Sequence, residues 1–196
     1  MKGKFIVFEG IDGAGLSTQA FLLQEYLKKK GFEVVLTKEP TNNLIGGLIR
    51  ASLKKEWKTS ARALQLLFSA DRSHHLEFEI LPALEKGKIV ISDRYFFSTI
   101  AYGMLELEKE WLKALNSKFL IPDITIILDV PVEVSLKRIG KGRSNTEPFE
   151  EREKLEKVRE NYIELSKEYE NCFVVDASKS IDEVQEEIRR IVDSKI

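Results

Sequence analysis

Short runs of β-branched and aromatic residues alternate along this chain with longer stretches whose apolar positions return every three or four residues. The first run, Phe5-Ile6-Val7-Phe8, predicts a buried strand, and Glu33–Thr37, Lys88–Ser92, Ile124–Asp129 and Cys172–Asp176 predict four more. The helical spacing predicts helices over Ser17–Lys30, Leu44–Lys54, Ser60–Glu85, Phe96–Tyr102, Glu108–Lys118, Val132–Ile139, Phe149–Tyr169 and Ile181–Val192. Gly31 suits the end of the first of these, and Pro82 predicts a kink or an early stop in the third. Strands alternating with helices predict an α/β fold, a parallel five-stranded sheet covered by helices on both faces, and near-continuous apolar strands such as Ile124–Leu128 agree. Such sheets bind ligands at the carboxyl ends of their strands, so chemistry is expected just after Phe8, Thr37, Ser92, Asp129 and Asp176.

After Phe8 comes Gly10-Ile11-Asp12-Gly13-Ala14-Gly15-Leu16-Ser17-Thr18. Strand, glycine loop and helix follow in the order a phosphate-binding loop requires. Its glycines let backbone N–H groups turn inward around phosphate oxygens, and the helix N-terminus adds partial positive charge. Ser17 stands where the pattern needs a hydroxyl for Mg²⁺, but Leu16 stands where it needs a lysine. The chain therefore reads as a binder of nucleotide phosphates with one charge missing. The plainer alternative is a glycine-rich strand-to-helix turn that binds nothing.

The other strand ends carry Lys38-Glu39-Pro40-Thr41 and Ser92-Asp93-Arg94-Tyr95. An aspartate beside such a loop can hold Mg²⁺ and an adjacent arginine can bridge phosphates; equally, Asp93 can cap a helix with Arg94 as its ion-pair partner. Phe68 and Arg72 are four residues apart on one helix face, where a ring and a guanidinium can hold a base, although Phe68 can also be simple core. His74 and His75 lack companions at metal-ligand spacing and read as surface or packing residues. Arg138-Ile139-Gly140-Lys141-Gly142-Arg143-Ser144-Asn145 is basic and flanked by glycine, the composition of a lid over a nucleotide at about 138–150 or of an exposed charged loop. Lys141 and Arg143 are its candidates to replace the charge missing at Leu16.

Composition narrows the classes. The 196 residues suit one domain with a full core, and 43% hydrophobic with 32% charged residues is ordinary for a soluble protein. A net charge of −1 leaves no basic field for nucleic acid, and no apolar run approaches membrane-span length. The early first strand leaves no room for a signal peptide, and Cys172 is the only cysteine, so a reduced, cytoplasmic setting is expected. Cys172 lies in an apolar run and reads as packing rather than as a nucleophile.

Together these segments resemble the thymidylate kinases, P-loop enzymes that move the γ-phosphoryl of ATP onto dTMP. The resemblance runs along almost the whole chain: Phe8–Gly15, Lys38-Glu39-Pro40 with Ile45-Gly46 and Arg50, Leu67–Arg72, Asp93-Arg94-Tyr95 with Ser98 and Ala101-Tyr102, Asp129-Val130-Pro131 with Arg138, and Asp176-Ala177-Ser178. It implies ATP and Mg²⁺ as cofactors, with ATP held by Gly10, Ile11, Asp12, Gly13, Ala14, Gly15, Leu16, Ser17 and Thr18, and Arg138 against adenine. It puts Phe68 on thymine, Arg72 at the base edge, Arg50 and Arg94 at the acceptor phosphate, Tyr102 under the deoxyribose, and Glu39, Pro40 and Ser98 in the same acceptor site. Asp12 would engage the sugar 3′-hydroxyl or an arginine, Ser17 and Asp93 would organise Mg²⁺, and Asp12, Asp93, Arg94 and the lid's Arg143 would carry catalysis. It also implies a homodimer joined through helices. Two departures stand out: Leu16 for the loop lysine, and Gly103 where the family often has glutamine. They leave open a weakened nucleotide-binding protein, or a kinase for another nucleoside or nucleotide.

Overall fold

The computed structural model describes residues 3–140 and 149–196. Five parallel strands, β1 (Lys4–Glu9), β2 (Val34–Lys38), β3 (Ile89–Asp93), β4 (Ile124–Asp129) and β5 (Cys172–Asp176), form one sheet in the order β2-β3-β1-β4-β5. Phe5, Ile6, Val7 and Phe8 of the central β1 are all fully buried, as strands covered on both faces require. All five strands expected from the apolar runs are present, each within one residue at either end.

Helices α1 (Leu16–Lys29), α2 (Leu44–Leu53), α3 (Ala61–His75), α4 (Leu81–Glu85), α5 (Phe96–Gly103), α6 (Lys109–Asn116), α7 (Val132–Ile139), α8 (Phe149–Ser166) and α9 (Ile181–Asp193) connect and cover the strands. Ala20, Leu23 and Leu27 of α1 are sealed into the core, and Ser180 and Glu183 close a reciprocal cap at the start of α9. The expected single helix over 60–85 is interrupted. A π-helical turn at Leu76–Ile80 separates α3 from α4, which carries Pro82 near its start. Proline has no N–H to donate and its ring clashes with the carbonyl four residues back, so the widened turn sits where regular α-helix cannot run on unchanged.

The topology determines where ligands go. Chain order reverses around β1, which lies between β3 and β4, so the carboxyl ends of these strands open one crevice. The registers set Phe8 opposite Asp93 and Lys38 opposite Asp93, bringing the glycine loop, the Asp93-Arg94 pair and the Glu39-Pro40 segment to one edge.

Candidate active site

The glycine loop is shaped by backbone conformations that side chains resist. Gly13 has φ +78° and Gly15, the residue capping α1, has φ +99°; a Cβ at Gly13 would lie 2.7 Å from the Ser135 carbonyl oxygen. The Gln19 N–H donates to the Gly15 carbonyl at 3.0 Å, opening the helical ladder, so the N–H groups of the first turn of α1 before it have no helical acceptors. Neighbouring elements clamp the loop. The Ser135 hydroxyl donates to the Asp12 carbonyl at 2.5 Å, the Asp12 N–H donates to the Tyr102 hydroxyl at 3.1 Å, and Arg94 donates to the Gly10 carbonyl at 2.9 Å. The result is a cradle of about 320 Å³ in which Arg94 is the one cation among the described lining residues. Leu16 does not supply charge there. Its side chain belongs to the core and only 6% of the residue is exposed.

Beside the cradle the Ser17 hydroxyl donates to Asp93 Oδ2. Parallel pairing of β1 with β3 carries Asp93 to the start of α1, which explains the contact across 76 residues. The capping alternative for Asp93 is not realised, since the residue preceding α5 is Tyr95 and no side chain caps that helix. A serine hydroxyl and a carboxylate side by side are hard oxygen donors, the set that suits Mg²⁺ completed by water and phosphate.

Arg94 has φ +74°, unusual for a side chain with a Cβ and the kind of strain found at functional sites. Its guanidinium pairs with Asp12, not with Asp93: Nη2 stands 2.6 Å from Asp12 Oδ1, while Nη1 donates to Gly10 and to the Ser98 hydroxyl at 3.0 Å. Beneath it lies Glu9, fully buried, which accepts from the Tyr95 N–H at 2.8 Å, the Ser98 hydroxyl at 2.5 Å and the Tyr162 hydroxyl at 3.2 Å. Burial pushes the Glu9 carboxyl up to about 7, against the pull of Ser98, Arg94 and Tyr95. Sequence reasoning gave no role to Glu9 or Tyr162. The available signal was a carboxylate closing an otherwise apolar strand.

A second cleft, of about 300 Å³, opens on the other side of Arg94. Its lining includes Glu39, Pro40, Gln65, Phe68, Arg72, Ser98 and Tyr102, so the predicted acceptor residues are gathered, with one exception. Arg72 is completely buried and largely committed to the protein. It donates to Glu39 Oε2 at 2.9 Å, Asn116 Oδ1 at 2.6 Å and Thr99 Oγ1 at 2.8 Å, and lies over the Tyr95 ring at 5.1 Å. Glu39 also bonds His75 Nδ1 at 3.1 Å, which makes His75 a buried packing residue, whereas His74 stacks on Phe78 at 4.6 Å. The exception is Arg50, whose guanidinium is folded onto the Pro40 and Thr41 carbonyls and is absent from the cleft lining.

On the far side, Arg138 donates to the Ala177 carbonyl at 2.9 Å, tying α7 to the end of β5. Lys141 and Arg143 lie outside the described residues. Among the described residues no cluster of three or more His, Cys, Asp or Glu forms a metal site, and no helix is long and apolar enough to cross a membrane. Burial pushes the Cys172 thiol up to about 12, which suits the expected packing role and not nucleophilic chemistry.

The family model for thymidylate kinase matches residues 8–188. A probable thymidylate kinase of Thermococcus onnurineus is 46% identical over 98% of each chain. One of Pyrococcus abyssi is 45% identical over 98% of this chain and 97% of its own, and the thymidylate kinase of Thermosipho melanesiensis is 38% identical over 98% of each. The family model and these relatives cover nearly the whole chain, glycine cradle, Ser17-Asp93 pair and second cleft included, and the chain belongs to the thymidylate kinase family.

Proposed function

We propose that this chain transfers the γ-phosphoryl group of ATP to dTMP, giving dTDP. The observation that carries the reading is that the phosphate cradle and the base-sized cleft meet at two residues, Asp12 and Arg94, which line both. Two phosphates approaching from the two sides would converge there. Phosphoryl transfer needs little beyond such positioning and electrostatic stabilisation.

In this reading the loop N–H groups and the α1 N-terminus hold the ATP phosphates, and Arg138 with the Ala177 backbone flanks adenine. Phe68 stacks on thymine, Arg72 offers its remaining N–H groups to a base carbonyl, and Tyr102 lies under the deoxyribose. Ser17 and Asp93 fit Mg²⁺, which when bound would neutralise phosphate charge. Arg94 supplies positive charge between donor and acceptor, Asp12 aims it, and Glu9 with Ser98 supports it from below. With Leu16 in the core, the lid residues Lys141 and Arg143 supply the remaining cations. Arg50 would have to leave the Pro40 and Thr41 carbonyls to reach the acceptor phosphate. The exposed Leu44, Leu48, Leu66, Phe78 and Leu81 of α2 to α4 support a homodimer. One half-buried thiol suits the cytoplasm.

Turnover of the purified protein with ATP, Mg²⁺ and a panel of dTMP, dUMP, dGMP and dAMP tests the proposal. dTMP is expected to be the best acceptor. dUMP should be weaker by no more than about 10–200-fold, because a methyl in an apolar pocket is worth about 1–3 kcal/mol. Equal use of dGMP and dTMP would end the thymine assignment.

A further inference from the structure

The acceptor cleft contains a polar group that no predicted role accounts for. Gln65 lies on α3 three residues before Phe68 and seven before Arg72, so all three project from one helix face. It lines the cleft, only 6% of it is exposed, and its Oε1 has no hydrogen-bond partner among the described residues. A buried acceptor without a donor is uncommon and costly, and in a ligand cleft it signals a missing partner.

Gly103 on α5 explains how the amide comes to be there. A Cβ at this position would lie 3.2 Å from Gln65 Nε2 and 2.8 Å from Cδ2 of the fully buried Leu112. Glycine leaves that corner free for the carboxamide of α3.

The neighbours define what the amide would meet. A pyrimidine 2,4-dione presents a carbonyl, an N3–H and a second carbonyl along one edge. Arg72 has only donors and can satisfy only the carbonyls. The Glu39 carboxylate already accepts from Arg72 and His75, and the Thr99 hydroxyl from Arg72, whereas the Gln65 oxygen accepts from none of the described residues. Among the described residues the Tyr95 hydroxyl also lacks a partner and Tyr95 lines the same cleft, but a phenol carries a proton of its own that would need an acceptor, whereas the Gln65 oxygen can only accept. We propose that the Gln65 carboxamide, in the space left by Gly103, accepts the N3–H of the acceptor base and is a specificity-determining residue for it. A half-turn of the terminal torsion brings either the oxygen or the nitrogen forward, so the amide can also donate to a flanking carbonyl.

This inference rests on dTMP being the acceptor, and its test separates the two. Calorimetric titration of the intact protein and of Gln65→Met, a variant of similar shape without hydrogen bonds, would use dTMP, N3-methyl-dTMP and dAMP. Wild type should bind dTMP best and lose roughly tenfold or more on N3-methylation. Gln65→Met should bind dTMP about tenfold more weakly, raising KM more than it lowers kcat, and should show a much smaller penalty for the methyl group. Removing an unsatisfied buried acceptor should leave the melting temperature of the free protein unchanged or raised. The same methylation penalty in both proteins would reduce Gln65 to a space-filling residue and overturn the inference while leaving the kinase reading intact. A wild type that binds dAMP as well as dTMP would overturn both.

Discussion

Arg94 and Asp12 hold each other across the mouth of the phosphate cradle, Nη2 to Oδ1 at 2.6 Å, from positions 82 residues apart. The arginine is mostly buried and the aspartate mostly exposed, with side-chain exposures of 20% and 62%. The inner partner is therefore fixed by Gly10 and Ser98, while the outer one is free to exchange its contact when a substrate arrives. A pair whose carboxylate is this open to solvent contributes little to stability, so its geometry points to aiming charge.

Arg94→Lys should accordingly lower kcat by about 10²–10³-fold, the cost of losing one transition-state donor. A lysine carries the charge but cannot span Asp12, Gly10 and Ser98 with one ammonium. Steady-state kinetics with ATP and dTMP check this. A change confined to KM would assign Arg94 to ground-state binding instead.

Leu16→Lys should raise kcat, because a lysine there can extend along the loop and return charge to the β/γ-phosphates. Arg143→Ala in the natural background should lower kcat by roughly 10²-fold. Combined with Leu16→Lys, it should cost less, since both cations act on the same phosphates. A double-mutant cycle measures this coupling, and strict additivity would show that the lid does not compensate for Leu16.

Glu9 predicts a pH dependence of stability. Its folded-state carboxyl, raised to about 7 from 4.5, binds a proton more tightly than in the unfolded chain. Its contribution is fully present below pH 4.5 and is lost as pH rises towards 7. Glu9→Gln should flatten stability across that window and, above it, make the protein more stable by up to about 3 kcal/mol. Urea denaturation from pH 4 to 8 checks the sign, and identical slopes in the two proteins would refute it.

Tyr102→Phe should leave the Asp12 N–H without its acceptor and cost on the order of 1 kcal/mol of stability. Tyr102→Ala should in addition narrow the preference for deoxyribose, as competition between dTMP and its ribonucleotide counterpart would register.

What the sequence determined by itself is what depends on neighbouring residues. The strand-loop-helix order around Gly10–Ser17 follows from spacing, and five apolar runs placed the strands because burial on both faces leaves a continuous signature. The same local logic put Phe68 and Arg72 on one face of α3. Pro82 signalled an interruption of the 60–85 helix, but the local pattern did not show that it would take the form of a widened turn at Leu76–Ile80. Tertiary structure decided which charges remain available. Arg72 looked like a free base-reading cation, but Glu39 just after β2, Thr99 of α5 and Asn116 of α6 bind it on several sides. Arg50 looked like a phosphate ligand and is folded onto backbone carbonyls. Glu9 looked like the last residue of a strand, and it is burial that raises its carboxyl, while its hydrogen-bond donors Tyr95, Ser98 and Tyr162 come from up to 153 residues away. Gly103 and Gln65 were unrelated letters until α3 and α5 packed together. Hydrogen bonding and desolvation act through space, and chain spacing does not encode which distant groups will meet.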